Sequence, residues 1–348
     1  MGLEILSLAT IKAIERTEIN KFTCTITCNI SFNFCLLFLH KRIFMIRILL
    51  LFTLLIGCSL NSSAQEINAD DLVRIKKLED SLKVYSHIIL NDSIAENRFA
   101  ATKLFVPMLV EALKHEHSFN YPFKKLDHIS IQYPQDSTFR IFSFTLFVDN
   151  DHYRYYGAIQ KNSKELQLIP LLDRTEIAQD LEQQVLSNTD WIGSVYYNIL
   201  DFDTPEGRKY LLFGYDGFSF FNRRKITDVL QFKGDSIQFG APVFVKKEQD
   251  KIIETKNRLV IEYSARAAVK MNYDLVQEAI VFDHLIPYTI NPNEPSTWVP
   301  DGSYEGYKLV NGQWEYVEKV FCDCPRVDGE APRPYALDPK DQKDIFGN

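Results

Sequence analysis

Phe139-Arg-Ile-Phe-Ser-Phe-Thr-Leu-Phe-Val148 is the stretch that decides the fold. Side chains of a strand alternate between two faces. Phe139, Ile141, Ser143, Thr145 and Phe147 therefore share one side, and Arg140, Phe142, Phe144, Leu146 and Val148 the other. A strand apolar on both sides must be covered on both faces or lie centrally in its sheet. Downstream, Asp149-Asn150-Asp151 turns the chain into a strand over 152–160, and 166–172 follows. Residues 176–186 read as a short helix. Strands are predicted over 191–202, 208–215, 229–232, 242–245, 259–263, 269–273 and 279–282. Asp203-Thr-Pro-Glu-Gly207 and Asp216-Gly217 supply reversals. Asn311-Gly312 is the clearest hairpin signal, because Asn-Gly favours the type I′ turn that matches strand twist; it joins 304–309 to 314–320.

Upstream, 126–133 reads as one more strand and the periodicity then changes. Leu72, Ile75, Leu78, Leu82, Tyr85 and Ile89 recur at helical steps, predicting an amphipathic helix over 69–90. Ser93 and Glu96 have the spacing of a capping box for a second helix. That helix carries Phe99, Val106, Val110 and Leu113 along one face and is bent or divided at Pro107. Strand follows strand without crossover helices, so pairing is mostly antiparallel. The fold class is α+β, mostly β: a helical hairpin over 65–118 packed on a large antiparallel sheet system over 119–320. Sandwich or irregular meander is the layout expected. Two hairpin-like units, 141–160 and 196–217, resemble each other, but the echo stops there, which disfavours a propeller.

Residues 45–64 set the compartment. Arg47 is followed by the apolar run Ile48 to Ile56 and then by Ser63-Ala64-Gln65, the layout of a secretory signal peptide. The run is shorter than the roughly 20 residues a spanning helix needs. Residues 1–44 then read as a mis-assigned upstream start, with Met45 as the working one. Cleavage after Ala64 is favoured over the lipobox reading of Leu55-Ile56-Gly57-Cys58, in which Cys58 is lipidated. Such cleavage leaves 284 of the 348 residues, enough for one large or two small domains, and no transmembrane span. The formal charge of −7 argues against nucleic acid as a partner. Of six cysteines only Cys322 and Cys324 then remain beyond Cys58; they read as an oxidised or idle pair in a loosely ordered tail over 321–348, so a hydrophobic core must hold the rest.

Several strings carry a resemblance: Leu90-Asn-Asp-Ser with Glu96-Asn-Arg-Phe-Ala-Ala101, Phe139-Arg-Ile-Phe-Ser-Phe144, His152-Tyr-Arg-Tyr-Tyr-Gly-Ala-Ile-Gln160, and Lys209-Tyr-Leu-Leu-Phe-Gly-Tyr-Asp-Gly217 with Arg223-Arg-Lys225. From residue 90 to residue 320 the chain resembles a family of exported proteins of Bacteroidota without an assigned activity. The resemblance implies an export route and a layout, and no catalytic residues.

His152, Tyr153, Arg154 and Tyr156, with Tyr215 and Asp216, form the candidate ligand platform. Aromatic rings and an arginine suit sugars, carboxylates or peptide backbone. The bland alternative is a strand start whose tyrosines pack their rings and keep their hydroxyls wet. Asp201, Asp203 and Glu206 read as an acidic hairpin turn in preference to a calcium loop, and His115 and His117 lack the further ligands of a zinc site. No serine elbow, His-Glu-x-x-His helix, phosphate loop or dinucleotide fingerprint is present. No cofactor is implied. The expected role is that of an exported, envelope-associated or secreted protein without an assignable biochemical activity, a non-catalytic binding or envelope-structural component for which an envelope protein or a glycan is a candidate partner. The alternative is an envelope hydrolase built from dispersed Asp, Glu and His.

Overall fold

A computed structural model describes residue 47 and residues 66–234, 236–289 and 297–321. The leader over 45–64 with Cys58, the segment 1–44, and Cys322 and Cys324 with the tail beyond Phe321 lie outside the described residues. Helix α1 (Ala69–Asn91) starts on Asn68, whose side chain accepts from the Asp70 N–H. It buries Ile75, Leu82 and Ile89, with Leu72, Leu78 and Tyr85 partly buried beside them. Helix α2 (Ala95–Leu113) runs through Pro107. The expected capping box does not form: the N-cap is Ile94, which has no capping side chain, and its own N–H donates to Asp92 Oδ1 at 2.7 Å. The buried face of α2 is also rotated from the apolar count. It runs through Arg98, Ala101, Phe105, Leu109 and Ala112, because Arg98 turns inward and donates to the backbone oxygens of Asp92 and Phe147.

Strands β1 (Ser130–Gln132), β2 (Phe139–Asp149), β3 (His152–Lys161) and β4 (Leu168–Leu172) form a first sheet in that order. β5 (Leu186–Ser187), β6 (Val195–Thr204), β7 (Gly207–Asp216), β8 (Asn222–Lys233) and β9 (Ser236–Phe239) form a second, ordered β5-β9-β8-β7-β6. β10 (Phe244–Glu248) and β11 (Lys251–Lys256) open a third sheet, and β12 (Leu259–Ser264) returns to pair with β8 in the second. β13 (Met271–Asp274), β14 (Ala279–Tyr288), β15 (Thr297–Val310) and β16 (Gln313–Val317) complete the third, ordered β11-β10-β16-β15-β14-β13. All ladders are antiparallel except β10 with β16. Asn311 and Gly312 both have positive φ, 51° and 80°, as the type I′ turn requires. Among the described residues strand makes up 48 % and helix 20 %, and no sheet closes into a barrel, so the class is α+β and mostly β.

Three hydrophobic cores lie between four layers. Phe142, Phe144 and Leu146 of β2 pack under the helices. Phe139 and Ile141, on the opposite face of β2, pack with Tyr196, Tyr210 and Leu212 of the second sheet. Leu211 and Phe213 of β7 face the other way, onto Phe244, Phe282 and Trp314 of the third. The order is therefore helices, first sheet, second sheet, third sheet. Helices and sheets belong to one compact unit starting at Glu66. No described helix is long and apolar enough to cross a membrane.

The expected helix over 176–186 is replaced by a single 3-10 turn, Thr175–Ile177, and an irregular run. Its carbonyls are taken by neighbours: Asn257 N–H donates to Glu182 O, and the Arg258 guanidinium donates to Leu181 O. Arg258 itself is fully buried with its Nε 2.8 Å from Asp228 Oδ2.

Arg140 is the least expected core residue. It is fully buried on the helix-facing side of β2. Its guanidinium donates to Gln160 Oε1 (2.8 Å), Tyr121 O (2.6 Å), Ser118 O (2.9 Å) and Tyr133 Oη (2.9 Å). The Phe142 and Phe123 rings lie 4.8 and 5.2 Å away. Desolvation lowers its pKa from the usual arginine value. The fork ties the Ser118–Tyr121 bend to the sheet, and removing it strands several buried acceptors. Arg140→Met is expected to lower the unfolding free energy by roughly 3 kcal/mol or more, and Arg140→Lys to recover only part of that, because an ammonium lacks the fork. Urea midpoints at constant slope are the measurement.

Candidate functional site

The alternation of β3 disperses the expected platform. His152 is exposed, its Nδ1 2.7 Å from Asp149 Oδ1, a hydrogen bond that raises its pKa. Tyr156 turns toward the helices and stacks on Phe144 at 5.0 Å and 7°. Tyr153 turns the other way, its ring so close to Gly217 that a Cβ there would meet it at 2.8 Å. Arg154 is exposed beside Asp173, Arg174 and Glu176, around an open cleft of about 450 Å³ where β4 ends. Tyr215 is partly buried with Lys225 Nζ 5.4 Å from its ring centre. Arg154 and Tyr156 line the cleft at the end of β4 together, whereas Tyr153 and Asp216 lie on the opposite side of β3, so the six residues do not all share one surface.

Asp216 is instead part of a buried lock. It is 1 % exposed, and burial raises its pKa. Its Oδ1 accepts from Tyr155 Oη (2.9 Å) and from the Phe218 N–H (2.9 Å), while Tyr155 Oη accepts from the Gly217 N–H (2.7 Å). The Asp-Gly pair thus ends β7 inside the protein and sets the course of the loop to β8. Phe220 and Phe221 stand exposed at that loop's tip.

Titratable side chains converge elsewhere, where β12 overlies the third sheet. Two adjoining clefts of about 290 and 360 Å³ share Val260, Ile261, Phe282 and Glu305 and make one groove. In the inner part Lys256 Nζ lies 2.9 Å from Glu182 and 3.6 Å from Glu254. Lys246 Nζ sits 4.7 Å above the Tyr316 ring. Burial, then the hydrogen bond to Glu305, raises the Tyr316 pKa, and burial with Glu254 nearby raises that of Tyr307. In the outer part Trp298 is 46 % exposed.

His284 lies at a break in the β14–β15 ladder. Asp283 pairs with Tyr304 and Leu285 with Pro300, so His284 alone opposes Asp301, Gly302 and Ser303. Gly302 has φ +91°, a conformation that L side chains rarely adopt. Such breaks re-aim a side chain. Here His284 Nδ1 lies 2.9 Å from Asp301 Oδ2, and Nε2 lies 3.6 Å from Glu305 Oε1. Ser303, through its N–H and hydroxyl, and then the His284 ring hold the Asp301 pKa down to about 2. Asp301, His284, Glu305 and Tyr316 so form a chain of polar groups along the groove. Sequence reasoning missed all four. Their one sequence signal is the turn-forming Asp301-Gly302-Ser303 inside an otherwise strand-like run.

The other expected clusters are internally paired. Arg208 lies 3.1 Å from Asp203 and 3.5 Å from Asp201, and Lys209 lies 3.2 Å from Glu206, consistent with a hairpin turn. His115 Nδ1 meets Asp71 at 2.9 Å. Among the described residues no group of three or more His, Cys, Asp or Glu is placed to hold a metal ion. Compared with protein-family models, curated proteins and solved structures, the chain matches none.

Tyr155→Phe is expected to destabilise the fold by roughly 1–3 kcal/mol, since it orphans the Gly217 N–H and removes a donor from a buried carboxylate. The pH dependence separates Asp216 from the other acids. A carboxyl whose folded pKa is raised stabilises the fold below its unfolded pKa, and that contribution is lost as pH rises through the folded value. Wild type should therefore lose stability relative to Asp216→Asn as pH climbs from about 4. Paired thermal melts across that range read the difference.

Proposed function

We propose that this chain is an exported, envelope-associated or secreted β-rich protein that binds its ligand without transforming it. The leader over 45–64 supports export, and the groove between β12 and the third sheet supports binding. The observation that carries the reading is the pairing of that groove with an exposed aromatic ring: Trp298 stands at the outer cleft, and Glu305 is common to both clefts. Ligand sites concentrate where a concave surface gathers a few convergent polar groups. The groove walls come from strands of two sheets, and strands hold side chains in fixed places better than loops do.

A second reading, an envelope hydrolase acting on glycan or peptide, is favoured by one observation. Asp301 orients the His284 ring so that Nε2 faces Glu305, the arrangement by which a carboxylate holds an imidazole ready to accept a proton. The binding reading is preferred because both neighbouring acids are already engaged, Asp301 by Ser303 and Glu305 by Tyr316.

The two readings separate on His284→Gln. A binding protein keeps its ligand-induced thermal shift within about threefold and shows no turnover in either form. A hydrolase shows turnover in the wild type and loses at least a hundredfold in the variant, the scale of a missing general base. Export has its own readout: mass spectrometry of the envelope fraction is expected to find a mature N-terminus at Gln65, and a product retaining residues 1–44 in the cytosol overturns it.

A further inference from the structure

We propose that the groove between β12 and the third sheet takes an extended, uncharged, hydroxyl-rich chain, an oligosaccharide; this rests on the reading of the groove as the ligand site. Charge in the groove is already paired, while hydrogen-bonding sites and an aromatic face are left open. Each carboxylate along the groove has a partner. Glu182 and Glu254 share Lys256, Glu305 accepts from Tyr316, and Glu262 takes Arg224 through Nε and Nη2, both at 3.0 Å. A cationic ligand would have to share each acid with the lysine, phenol or arginine already on it, and where that partner is Lys256 or Arg224 the two like charges repel. Asp283 accepts from the Lys270 N–H at 2.6 Å, and an anionic ligand would meet five carboxylates in all.

A hydroxyl group asks for neither exchange. It donates to a carboxylate oxygen whose second lone pairs are free, or to the phenol oxygen, and accepts from an ammonium without displacing the existing partner. Bonds of this kind, with one member charged, are among the stronger ones available to a neutral ligand. Carboxylates and donors lie together along the inner cleft, where Glu182, Lys256 and Glu254 adjoin Lys246 and Tyr316. A sugar ring also presents an apolar face, and aromatic rings provide a flat apolar surface with a polar edge. Trp298, nearly half exposed, is such a surface in the outer cleft.

The shape asks for a chain. The two clefts are continuous through Glu305 and Ile261, and each approaches the lower end of the size range for small-molecule sites. Glu305 stands at the junction, within reach of units on either side. His284, held by Asp301, offers a ring nitrogen to a hydroxyl at the same point.

The test uses the full chain and a panel of hexasaccharides: maltohexaose, cellohexaose, mannohexaose and chitohexaose, read by calorimetry at low and at high salt. At least one is expected to bind, with an affinity changing less than twofold between the two salts, as for an uncharged ligand. Trp298→Ala and Glu305→Gln should each weaken it at least tenfold. Val276→Ser, at an exposed turn remote from the groove, should not change it, and unchanged melting temperatures of all three variants exclude misfolding as the cause. Failure of the whole panel overturns the ligand class. If hexalysine binds instead and Glu305→Gln abolishes it, the groove stands as a site and the oligosaccharide does not. If the groove substitutions change binding of neither hexasaccharide nor hexalysine, the groove itself falls as well.

Discussion

Strands β2 and β7 are apolar on both faces, and water must be excluded from each of them twice. A half-buried strand needs one covering layer; these two need four between them, and they share one. The Phe139–Ile141 face of β2 and the Tyr210–Leu212 face of β7 cover each other. That leaves the Phe142–Leu146 face to the helical hairpin and the Leu211–Phe213 face to the third sheet. A layered stack with three cores follows from two strands and the alternation of side chains. At roughly 25 cal/mol per Å² of apolar area removed from water, each such core is a large favourable term. The helices of the first layer and the third sheet at the far end serve this need as covers. Their outer surfaces are correspondingly polar in α1, where Arg74, Lys76 and Lys77 face solvent.

What could be read from the residues alone follows the same logic. Periodicity exposed β2, the first helix and the Asn311-Gly312 hairpin, because apolar spacing and turn chemistry are local signals. It failed where a polar residue goes inward. Arg98 rotates the buried face of α2, and Arg140 sits fully buried with aromatic rings around it. A count of apolar residues leaves Arg98 off the buried face of its helix, and it puts Arg140 on a covered face without showing what would satisfy its charge there. The helix expected over 176–186 failed for a related reason: its carbonyls bond to Asn257 and Arg258, some 75 residues downstream, and no local pattern announces that.

The candidate site was the least legible part. Tyrosines at 153, 155 and 156 look like one cluster in a string, yet a strand sends them to different layers. One packs on Gly217, one locks Asp216 and one stacks on Phe144. The groups that do meet come from distant places. His284 and Asp301 are brought together by a break in register, and Glu182 reaches the groove from the irregular run before β5. Their convergence is a property of sheet geometry, and chain spacing carries almost none of it.

The return of β12 to the second sheet has a consequence for how the chain assembles. Hairpins β2–β3 and β6–β7 join neighbours in sequence, so they close quickly. The Asn222–Thr227 half of β8 instead waits for residues 259–264, which arrive only after β10 and β11 have left for another sheet. Non-local pairing of this kind slows folding, and an unfilled backbone edge is open to the wrong partner in the interval. Arg223, Arg224 and Lys225 sit on that waiting edge, and like charges there discourage two copies from pairing before β12 arrives.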